Sequence, residues 1–190
     1  MTTKQKHGVV VGSALWDYSL IADRRPEYGE TVLCKAVQRS PGGKGLNQAV
    51  ALKSLGAAVC FLSSVGADSA GDELSAYCAK RDLDPTTIYK LSDFPTGLGV
   101  PINVSNLGKF GFASPGASMA LPHDAAVWFE DHLESISWLL CHFETAKATL
   151  AEIIDLARRA KIPVYINAAP PNDEFFDLSF RANSVILNST

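Results

Sequence analysis

Five short runs along the chain are apolar at nearly every position: Val9-Val10-Val11, Cys60-Phe61-Leu62, Trp138-Leu139-Leu140-Cys141, Val164-Tyr165-Ile166 and Val185-Ile186-Leu187. A half-buried strand alternates apolar and polar residues, so runs without alternation predict strands covered on both faces, the condition of a parallel sheet. Between the runs the period changes. Leu150, Ile153, Ile154 and Ala157 recur at helical spacing, with Thr145 placed to cap the start, Arg158, Arg159 and Lys161 in the last turn, and Pro163 to stop it. Strand and helix in alternation require right-handed crossovers, hence an α/β fold with helices covering both faces of the sheet.

Two stretches interrupt this rhythm. Residues 31–37 and 96–113 hold strand-like segments (Thr31-Val32-Leu33, residues 98–104 and residues 110–113) with no helix between partners and with Asn106-Leu107-Gly108 as a turn. They predict antiparallel additions, a small sheet projecting from the main one, with segments at about residues 29–40 and 96–114. No internal repeat, low-complexity segment or Pro/Gly-rich linker divides the chain, so one domain over residues 1–190 plus the projection accounts for it.

Composition narrows the function. With 47% hydrophobic and 19% charged residues the chain has enough apolar material for a packed core, which excludes a disordered or fibrous protein. The net charge is −3 and no basic block occurs, so a nucleic-acid partner is not expected. The polar start and the brevity of Val9-Val10-Val11 suggest neither a signal peptide nor a membrane span, and a cytoplasmic protein is expected. The four cysteines, Cys34, Cys60, Cys78 and Cys141, form no Cys-x-x-Cys pair, so neither a zinc site nor a disulfide framework is expected. In such a protein Asn103-Val104-Ser105 and Asn188-Ser189-Thr190 are chance matches to the glycosylation pattern.

The most informative stretch is Ser40-Pro41-Gly42-Gly43-Lys44-Gly45-Leu46-Asn47-Gln48-Ala49, which runs into a helix-forming segment. Glycines ahead of a helix make a loop whose backbone can approach a ligand, with amide groups of the helix start facing it. It is no Walker A loop, because Gln38 stands at the first glycine position and Gly45 replaces the Ser/Thr that would hold magnesium. Nor is it a dinucleotide fingerprint, since Gln48 stands where a third glycine belongs. Taken alone, such a loop can equally be a tight turn that packs a helix on a sheet.

Spacing adds to this. Six residues separate Ala49 from Gly56 and nine separate Gly56 from Gly66, and with Gly42-Gly43-Lys44-Gly45-Leu46-Asn47-Gln48-Ala49 this resembles the first signature of the ribokinase (PfkB) carbohydrate kinases. The resemblance extends to Gly12-Ser13 with Asp17, Gly29-Glu30-Thr31, Gly66-x-Asp68-x-x-Gly71, Thr96-Gly97, Pro115-Gly116-Ala117, Glu144, Asn167 with Pro170, and Asn188. It implies a Rossmann-like three-layer α/β sandwich with a parallel central sheet and a small β-sheet lid. It also implies phosphorylation of a sugar or nucleoside hydroxyl with ATP and Mg2+, and a homo-oligomer formed through the lid or an exposed sheet edge.

By the same resemblance Asp17, Gly43, Lys44, Asn47 and Glu144 would contact the sugar, and Lys44 and Asn188 would lie toward the transferred phosphate. Plainer readings stand beside these: Asp17 as a solvated turn residue, Asn47 as a helix cap, Glu144 as the partner of Lys147, and Trp16 as packing rather than a stacking platform. Leu15 stands where ribokinases of this pattern carry an Asn, so ribose itself is not implied, and Asn188-Ser189 lacks the usual Glu of the magnesium shell. His142, two residues before Glu144, reads as structural. Ser69-Ala70-Gly71-Asp72 imitates the family's Gly-Ala-Gly-Asp loop, but Gly66 already closes the first signature, so Asp72 reads as a helix-start residue. The catalytic base and the ATP-binding half are expected beyond Thr190. The chain alone is therefore expected to recognise a sugar without transferring phosphate, or to serve as a non-catalytic sugar-binding or association module.

Overall fold

The computed structural model describes residues 6–105 and 108–187. In chain order it contains β1 (His7–Val11), β2 (Leu15–Ala22), β3 (Ala36–Gly42), α1 (Lys44–Ser54), β4 (Val59–Gly66), α2 (Ser69–Ala79) and β5 (Ile88–Leu91). There follow β6 (Thr96–Val104), β7 (Gly108–Gly116), α3 (Asp124–Asp131), β8 (Ile136–His142), α4 (Lys147–Arg159), β9 (Val164–Asn167), α5 (Phe176–Ser179) and β10 (Ser184–Ile186).

The apolar runs form a six-stranded sheet in the order β10-β9-β8-β1-β4-β5, parallel at every pairing. Alternation along β1 sends Val10 into one core layer with Leu46, Ala49 and Leu74 of α1 and α2. Val9 and Val11 point into the other, with Phe129, Ile153 and Leu178 of α3, α4 and α5. Helices on both faces make a three-layer sandwich. In α4 the apolar stripe Leu150, Ile153, Ile154 and Ala157 is fully buried. Its start differs from expectation: the cap position is Ala146, without a side-chain bond, and Thr145 is buried one residue earlier. No helix among the described residues is long and apolar enough to cross a membrane.

The second sheet has the order β3-β2-β6-β7. Its outer pairs are antiparallel, as expected, but its central pair, β2 with β6, is parallel. Residues 31–33 are not strand. The strand before the glycine loop is Ala36–Gly42, shifted toward the loop, and its partner is Leu15–Ala22, a strand the apolar pattern does not flag. Both strands stand clear of the core, so their sequences carry little of the burial pattern that marks the main sheet. The turn expected at Asn106-Leu107-Gly108 has its first two residues outside the described residues.

The base of this second sheet is fastened to α2. Asp68 caps α2 through Gly71 N–H at 2.8 Å and also accepts from the Thr96 hydroxyl at 2.6 Å and the Thr96 amide at 2.9 Å, at the first residue of β6. Burial alone would raise the Asp68 pKa, but these bonds hold it below its ordinary value. The Trp16 indole N–H donates to the Ala70 carbonyl at 3.0 Å, and Arg39, stacked on Trp16 at 3.7 Å, pairs with Glu73 at 2.7 Å. Trp16 thus packs between the second sheet and α2. Asp72 sits in the first turn of α2 and pairs with Lys90 at 2.6 Å, as its helix-start reading requires.

Candidate functional site

The carboxyl ends of β1 and β8 lie side by side, Val11 against Cys141, and α1 starts beside them. This is the edge of an open α/β sheet where ligands bind. Ser13 organises it. Its hydroxyl donates to Glu144 Oε2 at 2.7 Å and accepts the Lys44 amide at 3.1 Å, while its carbonyl accepts the Leu46 amide at 3.0 Å. Two of the first amides of α1 are therefore bonded to Ser13 rather than free for a ligand, contrary to the expectation for the glycine loop. Gly43 occupies the cap position with φ of 98°, and a Cβ there would come within 2.6 Å of the Ser13 carbonyl oxygen, so only glycine lets the loop approach this closely.

Glu144 is nearly buried and bonds through Oε1 to the Lys44 ammonium. Burial would raise its pKa, but the bonds from Lys44 and Ser13 outweigh it and hold the carboxyl below its ordinary value. It does not pair with Lys147, which bonds Asp177 at 3.1 Å. Beneath it lies His142, fully buried, with Nε2 3.0 Å from the Ser13 amide and Nδ1 3.0 Å from the Glu144 amide. Burial pushes its pKa down to about 4 against the attraction of Glu144, so the ring is neutral and accepts at one nitrogen. Gly12 leaves room for this ring, since a Cβ there would sit 1.9 Å from Nε2.

Across the cleft, Asp17 lies on β2 of the second sheet, flanked by strands β3 and β6. Glycines clear the space around it. A Cβ on Gly42 would meet its Oδ2 at 2.2 Å, and one on Gly99 its Oδ1 at 2.1 Å. Burial raises the Asp17 pKa, with Lys109 and Lys44 pulling it down and Glu144 pushing it further up. Asp17 is thus a half-buried strand residue, not a turn. Asn47 lies in the first turn and a half of α1, exposed to the cleft, and does not cap the helix.

Asp17, Gly43, Lys44, Asn47 and Glu144 all line one cleft of about 510 Å3 between the two sheets. The family resemblance marks each of them as a sugar contact. Leu15, which the resemblance set at a position where ribokinases carry an Asn, lines it too, as do Gly99 and Lys109, which the sequence reading did not assign, although the alternation Gly97-x-Gly99 strips one face of a strand of Cβ atoms and is readable as a close-approach signal. Ser13 was visible only as part of Gly12-Ser13. Its role comes from the approach of β8, which no local pattern encodes. Lys44 also borders a larger, mainly apolar cavity of about 730 Å3 between Phe143, Pro170 and Phe180. Asn188 lies outside the described residues. Among the described residues no group of three His, Cys, Asp or Glu is placed to hold a metal.

Open α/β sheets covered by helices on both faces form a class whose ligands bind at the carboxyl ends of the strands, where this cleft lies. The family is specific: the chain belongs to the pfkB family of carbohydrate kinases, whose model matches residues 5–188. It is 31% identical to the ribokinase of Bacillus subtilis over 166 residues, which are 85% of this chain and 55% of that one. The ribokinase of Giardia lamblia shares the fold with a TM-score of 0.86 at 21% identity, over 97% of this chain and 58% of that one. The Arabidopsis thaliana ribokinase, solved in complex with ribose and ATP, has a TM-score of 0.73 at 25% identity, over 87% of this chain and 54% of that one. The chain therefore spans little more than half the length of these relatives.

Proposed function

We propose that the cleft is the acceptor site of an ATP-dependent carbohydrate kinase, where a sugar or nucleoside is held for phosphorylation of a hydroxyl. The observation that carries this reading is the pair of carboxylates, Asp17 on the lid and Glu144 at the sheet end, facing one cleft with Asn47. A sugar presents hydroxyl donors on several edges, an ionised carboxylate offers only acceptors, and an amide offers both. Each charge-assisted bond contributes on the order of 1.5 to 3 kcal/mol. Gly43 lets the ring approach the backbone, and Lys44, at the border of the two cavities, is the cation nearest the donor side. Asn188 belongs to that donor side in this reading.

The identity with B. subtilis ribokinase and the ribose and ATP in the Arabidopsis complex support a phosphoryl donor of the ATP type. Magnesium would arrive with the nucleotide, bound to its phosphates. The setting we read is the cytoplasm, where the four free cysteines stay reduced. Calorimetry of the chain against D-ribose, 2-deoxy-D-ribose, D-fructose and inosine is expected to give at least one binder; a panel without any heat of binding overturns the acceptor-site reading.

A specific observation favours association as well. Val185, Ile186 and Leu187 on and after the outermost described strand, β10, are exposed beside Phe176 and Phe180, a contiguous apolar edge with unpaired backbone groups. The lid exposes Val37, Leu98 and Phe112 in the same way. We expect a mass above that of the 20.3 kDa monomer by light scattering at tens of micromolar. A strictly monomeric, cooperatively unfolding chain excludes self-association.

A further inference from the structure

Of the charged side chains that line the cleft, Lys44 and Glu144 bond each other, while Asp17 and Lys109 have no ion-pair partner among the described residues. Both of these unpaired charges stand on the second sheet. Asp17 is level with Gly99 of β6, which pairs in turn with Ala113 of β7, and a Cβ on Gly99 would meet the Asp17 carboxylate, so this face of the sheet is the one turned to the cleft. Side chains alternate along a strand, so Gly111 and Lys109 share that face with Ala113. Lys109 therefore stands about 14 Å along β7 from the level of Asp17, at the outer end of the cleft, and its four-carbon stem can reach back into it. Between the two charges this face of β7 carries only Gly111 and Ala113, which leaves the space open. Burial is the main influence on the Asp17 carboxyl, and among its charged neighbours Lys109 acts on it most strongly, drawing its pKa down. The cleft is thus dipolar, negative at Asp17 and positive at the rim.

We propose, resting on the acceptor-site reading above, that Lys109 is a specificity-determining residue and that the preferred acceptor is a sugar acid, held through hydroxyls at Asp17 and through its carboxylate at Lys109. An ionised carboxylate only accepts hydrogen bonds and an ammonium only donates them. An uncharged sugar answers Asp17 with its hydroxyls and leaves Lys109 to water. A sugar acid answers both, because its carboxylate takes a charge-assisted bond from the ammonium. Like charge keeps that carboxylate away from Asp17, so the molecule enters in one orientation, hydroxyl end inward and acid end at the rim. One ammonium matches the single charge of a carboxylate, whereas a phosphate monoester carries close to two, so the carboxylate is the fitting group. Lys109 is exposed, and water and salt weaken its pairing, so the gain is about fivefold to tenfold in affinity rather than the larger factor of a buried pair.

Calorimetric titration of the chain with matched pairs tests this: D-ribonate with ribitol, D-gluconate with D-glucitol, and D-glucuronate with D-glucose, the members of each pair differing only by a carboxylate in place of a hydroxymethyl group. At least one acid is expected to bind about fivefold or more tightly than its neutral partner, with an advantage that shrinks as salt is raised. In Lys109→Met, which keeps the stem and removes the charge, the preference is expected to vanish, and in Lys109→Arg it is expected to persist. Acids that bind no more tightly than their neutral partners overturn the inference without any variant. An unchanged ratio in a folded Lys109→Met does so too, and assigns the anion preference to Lys44. If a neutral sugar binds, Asp17→Ala abolishes that binding and no acid is preferred, the acceptor site stands and only the role of Lys109 fails. If neither the neutral sugars nor the acids bind, both readings fall.

Discussion

Replacing Asp17 with alanine is expected to abolish measurable sugar binding while leaving the fold as stable as before, or slightly more stable. The binding loss follows from geometry. The carboxylate faces the cleft in a pocket cleared by Gly42 and Gly99, and two charge-assisted bonds to a sugar are worth on the order of 3 to 6 kcal/mol, more than about a hundredfold in affinity. The stability result follows from sign. Burial raises the Asp17 pKa, so the folded chain is harder to ionise than the unfolded one and loses stability as pH rises through the carboxylate range. Alanine removes that loss. The gain is therefore present at neutral pH and disappears in acid, where the carboxyl is protonated in both states. Calorimetry and thermal unfolding of the same preparation at pH 7 and pH 4 check both halves. A variant that binds sugar undiminished, or that unfolds well below the parent, would show Asp17 to be a structural residue.

Gly43→Ala carries the second large effect, and here stability falls as well. Gly43 has φ of 98° and ψ of 142°, a backbone region essentially restricted to glycine, and the added Cβ would lie 2.6 Å from the Ser13 carbonyl oxygen. The oxygen is backbone and a Cβ is fixed rigidly to its own backbone, so relief requires the start of α1 and the segment after β1 to separate. That movement breaks the Leu46 and Lys44 amide bonds to Ser13 and with them the seat of Glu144. A loss of about 3 kcal/mol or more is expected, lowering the unfolding midpoint by roughly 6–12 °C for a chain of this size. Gly56→Ala is the control. Its φ of 85° carries the same kind of conformational penalty, but nothing lies within 4 Å of the added Cβ. It is expected to lose only about 1 kcal/mol. Equal midpoints for the two variants would mean that the Ser13 contact contributes nothing.

How much of the molecule was legible depended on burial. The strands through Val9, Phe61, Leu139 and Ile166 announce themselves because helices cover both faces of their sheet, which keeps most of their central positions apolar. Lid strands have no such constraint. In Ala36–Gly42 five of seven residues are polar, proline or glycine and most are exposed, whereas the apolar Leu33, in a segment that looked like a strand, is 90% exposed and unpaired. The site divides along a similar line. Gly43, Lys44 and Asn47 were readable because one motif orders them along the chain, and Asp17 and Glu144 because the resemblance extends beyond it. What Ser13 and His142 do was not, because it depends on β1 and β8 coming into register across more than a hundred residues. The helix-start amides illustrate the reverse error. One of the two sequence readings turned them toward a ligand, and Ser13, just past the end of β1, takes those of Lys44 and Leu46.

The two carboxylates stand on different bodies. Glu144 is fixed to the end of the main sheet by Ser13, Lys44 and the backbone contact to His142, while Asp17 rides on a panel tied at its base through Asp68, Trp16 and Arg39. In the acceptor-site reading, a molecule bonded to both would tie the second sheet to the first. Its affinity would then depend on how firmly the base of that sheet is fastened as well as on the groups in contact. Loss of the Thr96 hydroxyl, which bonds Asp68 away from the cleft, would then alter acceptor affinity without altering which sugar is recognised.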